Sequence, residues 1–199
     1  MLKIDSHQHF WMFNPLRDNW ITEDMSIIRR DFLPSDLKPV LDANGISGTV
    51  AVQADQSLTE TSFLLSLAEE NDFIKAVVGW TDLCSPDAEE SLGQYSRFDK
   101  LKGFRHILQA EKPDFMLRPD FLRGISALKN FGFTYDILVF PQHLPDVIKL
   151  VEKNPDQAFV LDHLAKPFIK SGEIKVWLSH MKNLALHPNV YCKLSGMVT

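Results

Sequence analysis

Two histidines stand one residue apart near the start of the chain, in Ile4-Asp5-Ser6-His7-Gln8-His9. A strand alternates its faces, so residues i and i+2 project from the same side. His7 and His9, side by side at a strand end, make half of a divalent-metal site. A lone His-x-His near a terminus is more often incidental than chemical, so the weight falls on the rest of the chain. Four of the seven histidines, His7, His9, His106 and His163, lie at the ends of expected strands. Around the same ends stand Gln53, Asp55, Trp80, Asp82, Arg105, Asp136, Asp162, Lys166, Lys193 and Ser195.

The elements that must position these side chains follow from periodicity. Short apolar runs at 2–6, 48–53, 76–81, 101–106, 134–140, 158–163 and 190–194 are rich in Val, Ile and Phe. They are mostly apolar on both faces, as in a buried parallel sheet. Helices fit between them. Ser35 is an expected cap for a helix ending near Gly45, and Ser57-Leu58-Thr59-Glu60 has the form of a capping box. Ser85-Pro86-Asp87 starts the next. Further helices are expected at 119–130 and 145–153, the latter stopped by Asn154-Pro155. In the last, 173–186, Ile174, Trp177, Leu178, Met181, Leu184 and Ala185 share one face.

Strand–helix alternation implies right-handed βαβ units and a parallel α/β sheet. Seven strands suit either an open doubly wound sheet or a (β/α)8 TIM barrel lacking its last unit. The turn after the first strand has no glycine, which disfavours a dinucleotide-binding sheet. The long stretch 10–32 is then an extended first βα loop at the mouth of a barrel, with Trp11 and Trp20 as candidate pocket walls.

Each candidate has a plainer alternative. His106 could be a core histidine, and strand parity turns one of Arg105 and His106 away from any shared site. The same parity separates Asp162 from His163. His143 suits a cap or a surface position, and His180 and His187 suit solvent. Asp136 stands mid-strand, where a buried carboxylate costs several kcal/mol unless partnered. Lys193, flanked by Cys192 and Leu194, needs a carboxylate or a substrate oxygen for the same reason.

Composition narrows the function classes. The chain has 199 residues, 45% hydrophobic and 24% charged, with a net charge of -5. That suits one globular domain over 1–199. It offers no basic cluster for nucleic acid and no apolar run long enough to span a membrane. Without a signal-peptide pattern at Met1, the expected location is cytoplasmic. Cys84 and Cys192 are distant in sequence and form no CxxC, so reduced thiols are expected. The expected partner is a small-molecule substrate, with homo-oligomer formation left open.

With its ordered motifs, the chain resembles the amidohydrolase superfamily. More narrowly, it resembles the amidohydrolase 2 group of metal-dependent hydrolases, which includes L-fucono- and L-rhamnono-lactonases. The carrying segments are Ile4-Asp5-Ser6-His7-Gln8-His9-Phe10-Trp11, Lys102-Gly103-Phe104-Arg105-His106, Val160-Leu161-Asp162-His163-Leu164-Ala165-Lys166-Pro167 and Lys193-Leu194-Ser195-Gly196. The resemblance implies a distorted (β/α)8 barrel. It makes His7, His9 and His163 ligands to metal or substrate, and Arg105, His106 and Lys166 polar pocket residues. Family members continue to an eighth strand bearing a Gly-Ser-Asp-Trp-Pro-like segment whose aspartate is commonly ligand and base. Here the sequence ends at Thr199, so a C-terminally truncated barrel is expected, and Asp136 stands where metal-rich relatives carry a strand-five histidine.

The expectation is therefore hydrolysis of a sugar-acid lactone. His7, His9 and His163 would hold a divalent metal, zinc foremost, bound weakly or even absent. Arg105, His106, Asp136 and Lys166 would serve catalysis, and Gln53, Trp20 and Lys193 would contact substrate. The rivals are a metal-assisted decarboxylase of the same superfamily and an inactive or partner-completed fragment.

Overall fold

The structure is a computed structural model that describes residues 2–112 and 114–197. Its regular elements alternate as β1 (Ile4–Gln8), α1 (Pro34–Ala43), β2 (Gly48–Val52), α2 (Leu58–Glu70), β3 (Ile74–Gly79), α3 (Ala88–Tyr95), β4 (Leu101–His106), α4 (Pro119–Leu128), β5 (Thr134–Ile137), α5 (Leu144–Lys153), β6 (Phe159–Leu161), α6 (Lys175–Leu184) and β7 (Val190–Cys192). All seven expected strands and all six expected helices are present. The capping contacts of the first three helices differ in detail from the expectation. Pro34 at the first helical position moves the start of α1 ahead of Ser35, and Asp36 accepts from the Leu33 N–H at 2.9 Å instead. Ser57 does cap α2, accepting from the Glu60 N–H at 3.1 Å, but the Glu60 carboxylate reaches back to the Ala54 N–H at 3.0 Å. α3 begins at Ala88, with the Ser85 hydroxyl accepting from the Asp87 N–H at 3.1 Å just ahead of it.

The strands form one parallel sheet in sequence order, β1 to β7. Six inter-strand spacings of about 4.8 Å would hold β1 and β7 roughly 29 Å apart in a flat sheet. Yet Lys193 Nζ, just past β7, lies 3.1 Å from His7 Nδ1 on β1. The sheet is therefore curled into an incomplete barrel, and side chains from its two ends meet inside. Among the described residues, β1 and β7 each pair with a single neighbouring strand.

Helix-facing side chains of the strands make the main core, with Ile74, Phe104, Tyr135 and Phe159 buried against Leu64, Leu92, Phe121, Ile125 and Val147. The opposite, inward face carries buried Gln53, Arg105, Asp136 and Lys193. Apolar on both faces is thus true of the sheet's lower part only; charge occupies the inside of its upper end. α6 also departs from expectation. Leu184 is buried and Trp177 and Met181 pack on the core, but Ile174 and Leu178 stay exposed at 39% and 42%. No described helix is long and apolar enough to cross a membrane.

One close approach fixes how α4 sits. A Cβ placed on Gly124 would lie 2.1 Å from the Leu83 carbonyl oxygen. Alanine there gains about 1 kcal/mol of helix propensity. Forcing a backbone carbonyl aside costs about 1–3 kcal/mol or more, so the clash wins. Gly124→Ala is expected to lower the urea midpoint; an unchanged or higher midpoint would refute this packing.

Candidate active site

The inward polar side chains converge at the carboxyl ends of the strands. β1 supplies His7 and β4 supplies Arg105; His9 follows β1, Asp162 and His163 follow β6, and Lys193 follows β7. His9 Nδ1 lies 2.8 Å from the Val52 carbonyl oxygen. A carbonyl only accepts, so Nδ1 carries the proton and Nε2 keeps its lone pair. That Nε2 faces His7 Nε2 at 3.1 Å. The His163 ring sits 4.5 Å from the His7 ring between centroids, with its Nδ1 2.8 Å from Ser195 Oγ. One ligand atom each from His7, Asp162 and His163 lie within 4.8 Å of one another.

Beneath the histidines runs a buried ion network. Arg105 Nη1 donates to Asp162 Oδ2 at 2.9 Å, and Lys193 Nζ donates to Asp136 and lies 2.9 Å from Asp162 Oδ1. Arg105 Nη2 donates to the Gln53 carbonyl, and Gln53 Nε2 returns a bond to the Arg105 carbonyl at 3.1 Å. Two cations face two carboxylates, so the network is close to neutral, as burial demands.

Burial sets the titration of these groups. It pushes His9 down to about 3 and His163 to about 4, and it lowers His7 as well. All three rings are thus neutral at neutral pH, the form that binds metal. Burial alone would raise the Asp162 carboxyl, but His7, Arg105 and Lys193 outweigh it and hold it well below the usual carboxylate range. Asp136 is pushed up to about 6 by burial, against the pull of Lys193.

A pH dependence of stability follows. An unfolded chain protonates these histidines near 6.5, before the native chain does. Stability therefore falls as pH drops from 6.5 toward 3–4 and is flat in this respect above 6.5. Asp136 has the opposite sign, because the native state takes up its proton first, and it offsets part of the loss. Three lowered histidines, with the lowered Asp162 carboxyl acting in the same direction, outweigh the one raised carboxyl and leave a net loss. The melting temperature of the metal-free chain is expected to fall steeply below pH 6; a constant value from pH 7 to 4.5 would contradict this site.

The structure brings His7, His9, His163, Arg105, Asp136 and Lys193 into one cluster. Gln53 adjoins it but is fully buried, with its amide N–H on the Arg105 carbonyl. Lys166 stands nearer the mouth, its Nζ 2.8 Å from Gln109 Oε1 and 5.3 Å from the Phe140 ring centroid. Trp20 is exposed on the first loop. His106 follows the alternation away from Arg105. Its Nε2 lies 2.7 Å from Glu111 Oε1, Trp80 Nε1 donates to its Nδ1 at 3.4 Å, and it stacks on Phe115. His143 caps, accepting at Nδ1 from the Phe140 N–H at 3.1 Å.

Asp162 and His163 overturn the parity expectation. β6 ends at Leu161, and the chain then enters a left-handed turn with φ of +52° at His163 and +55° at Leu164. Outside a strand the two-residue period no longer applies, so both side chains reach the same cluster. Asp162 is the candidate ligand that parity set apart from His163. Its signal was a carboxylate directly after the apolar run Phe159-Val160-Leu161.

The donor set fits a divalent metal of the zinc type. The His9 ring is oriented by a carbonyl on its far nitrogen, and the His163 ring contacts Ser195 through Nδ1, as outer-shell partners orient metal-binding histidines. Asp162 Oδ1 is buried with no hydrogen-bond partner of good geometry, although Lys193 is close. The charges nearest that oxygen are the Lys193 ammonium at 2.9 Å and His7 Nδ1 at 3.5 Å.

A parallel, barrel-type α/β sheet with a histidine–carboxylate cluster at its carboxyl ends defines a protein with a candidate metal centre at the usual active-site face of such barrels. The sequence matches the amidohydrolase family, Amidohydro_2, over residues 4–199, and the chain belongs to that family. It is 40% identical to an L-fucono-1,5-lactonase of Burkholderia multivorans over 205 residues, covering 100% of this chain and 69% of that protein. It is 39% identical to an L-fucono-1,5-lactonase of Burkholderia ambifaria over 198 residues, covering 99% and 68%. Among solved structures, it superimposes with a TM-score of 0.95 on an amidohydrolase from Burkholderia multivorans crystallised with bound zinc, at 40% identity, covering 100% of this chain and 71% of that one.

Proposed function

We propose that this chain is a sugar-acid lactone hydrolase, acting on a substrate of the L-fucono-1,5-lactone type as a single barrel-type domain. The observation that carries the reading is the convergence of His7, His9, His163 and Asp162 in a chain 40% identical to such a lactonase along its whole length. His7, His9 and His163, with Asp162 beside them, would hold a zinc ion. When bound, the ion supplies Lewis-acid polarisation of a carbonyl and acidifies a water to a pKa of about 7.

The chain's own groups do the rest. Water adds to the lactone carbonyl carbon, the ring C–O bond breaks, and the freed hydroxyl takes up a proton. The new carboxylic acid ionises at neutral pH, so each turnover releases one proton. Lys166 is the cation placed to meet negative charge developing on substrate oxygen. One such donor is worth roughly 3–4 kcal/mol. Arg105 acts from within, holding Asp162. The Lys193 ammonium lies between Asp136 and His7 Nδ1 and fixes the His7 ring against the buried carboxylates.

The test is proton release against a panel of aldonolactones, with and without chelator. Turnover of a 1,5-lactone, lost with chelator and restored by zinc, is expected. No rate above spontaneous hydrolysis on any lactone would overturn the function. Turnover indifferent to chelator would overturn the metal. Carbon dioxide release from an unsaturated or aromatic acid would move the chain to a lyase instead.

A further inference from the structure

Four successive non-glycine residues after β6 have left-handed backbones: His163, Leu164, Ala165 and Lys166, at φ of +52°, +55°, +55° and +50°. An L-residue there costs roughly 1–2 kcal/mol, and such residues normally occur singly. A run of four persists only where its surroundings over-determine it. The turn aims two side chains that the proposed chemistry needs. His163, at one end, faces His7, and Lys166, at the other, reaches Gln109 near the mouth.

The contacts that hold the turn can be named. It closes on itself through the Lys166 N–H to the His163 carbonyl, at 2.8 Å. Ala165 is fully buried. From α6, the Trp177 indole Nε1–H donates to the Leu164 carbonyl at 2.7 Å, in the middle of the turn. In an ordinary helical turn, that carbonyl would point along the helix; here it is turned toward α6 and met by a donor. Sequence periodicity explains Trp177 as one more apolar residue on the inner face of α6. A phenylalanine would serve that purpose equally well and could not donate.

We propose that Trp177 is a positioning residue: its indole N–H clamps the left-handed 163–166 turn and thereby aims His163 and Lys166. The proposal rests on the metal-ligand role given to His163 above.

Trp177→Phe tests it, because packing is largely retained while the donor is lost. Amide exchange at Lys166, read by NMR, is expected to accelerate at least tenfold, while the Tyr135 amide in β5 exchanges as before. Zinc affinity, read by competition with a chromogenic chelator, is expected to weaken about 10–100-fold, as when partners of metal-binding residues are removed. Lys166 exchange at the wild-type rate would overturn the proposal. If the wild-type chain binds no zinc, the metal reading fails on its own, and Lys166 exchange alone decides the role of Trp177. If Trp177→Phe does not fold, the wild-type indole decides. Its N–H should be protected at least tenfold relative to that of exposed Trp20, and equal exchange would overturn the clamp.

Discussion

Replacing His7 and His9 together by alanine is expected to reduce lactone hydrolysis to the uncatalysed background and to remove bound zinc, while leaving a folded chain. The activity loss follows from the geometry. The two Nε2 atoms face each other at 3.1 Å, so both rings are lost from one and the same side of the cluster. Without them, His163 and Asp162 alone remain of the donor set, below the three protein ligands of a catalytic zinc site. The folding cost is bounded by what the rings hold. The Val52 carbonyl loses the His9 N–H, and Asp162 loses its contact with His7. Unmet buried polar groups cost about 1–3 kcal/mol each, against the 5–15 kcal/mol typical of a domain. Zinc content by elemental analysis and circular dichroism, measured on one preparation, check both halves. A double variant that keeps turnover removes these residues from the chemistry.

The largest stability effect is expected at Asp162. Asn keeps the size and part of the hydrogen bonding but removes a charge from the middle of the network. Arg105 and Lys193 would then face Asp136 alone, leaving one buried cation uncompensated. Breaking a buried pair from one side costs about 3–5 kcal/mol, which for a chain of this size lowers Tm by roughly 6–20 °C. The exposed pair Arg118–Asp120 provides the contrast. Asp120→Asn should leave the urea midpoint close to that of the wild type, because solvent screens the pair. A double variant separates charge imbalance from lost packing. Adding Arg105→Met to Asp162→Asn removes the orphaned cation and should recover part of the loss. If Asp162→Asn unfolds in urea at the wild-type midpoint, the network does not carry the interior as described.

Much of this architecture is legible in sequence because its determinants are local. His7 and His9 share a side because a strand has a period of two, and no knowledge of the fold is required. The β4 bounds follow from Leu101 to His106, and the start of α2 from Ser57 and Glu60, for the same reason. Parity works wherever the strand continues, and it correctly turns His106 away from Arg105. It fails two strands later. β6 stops at Leu161, and nothing in Asp162-His163-Leu164-Ala165-Lys166 announces a left-handed turn without glycine. That conformation is unfavourable locally and is held by contacts from elsewhere, Trp177 among them.

The sequence by itself determined the alternation of strands and helices, the histidine pair on β1, and the requirement that Asp136 and Lys193 find partners. These follow from nearest-neighbour geometry and from the cost of burying charge. Tertiary structure decided who the partners are. Arg105 meets Asp162, and Lys193 meets Asp136, across 57 residues in each case. Lys193 also reaches His7 across 186 residues, from one end of the sheet to the other. Only the curl of the sheet makes those distances short. It also joins Arg105, expected to serve catalysis, with Gln53 and Lys193, expected to contact substrate, in one hydrogen-bonded frame beneath the histidines.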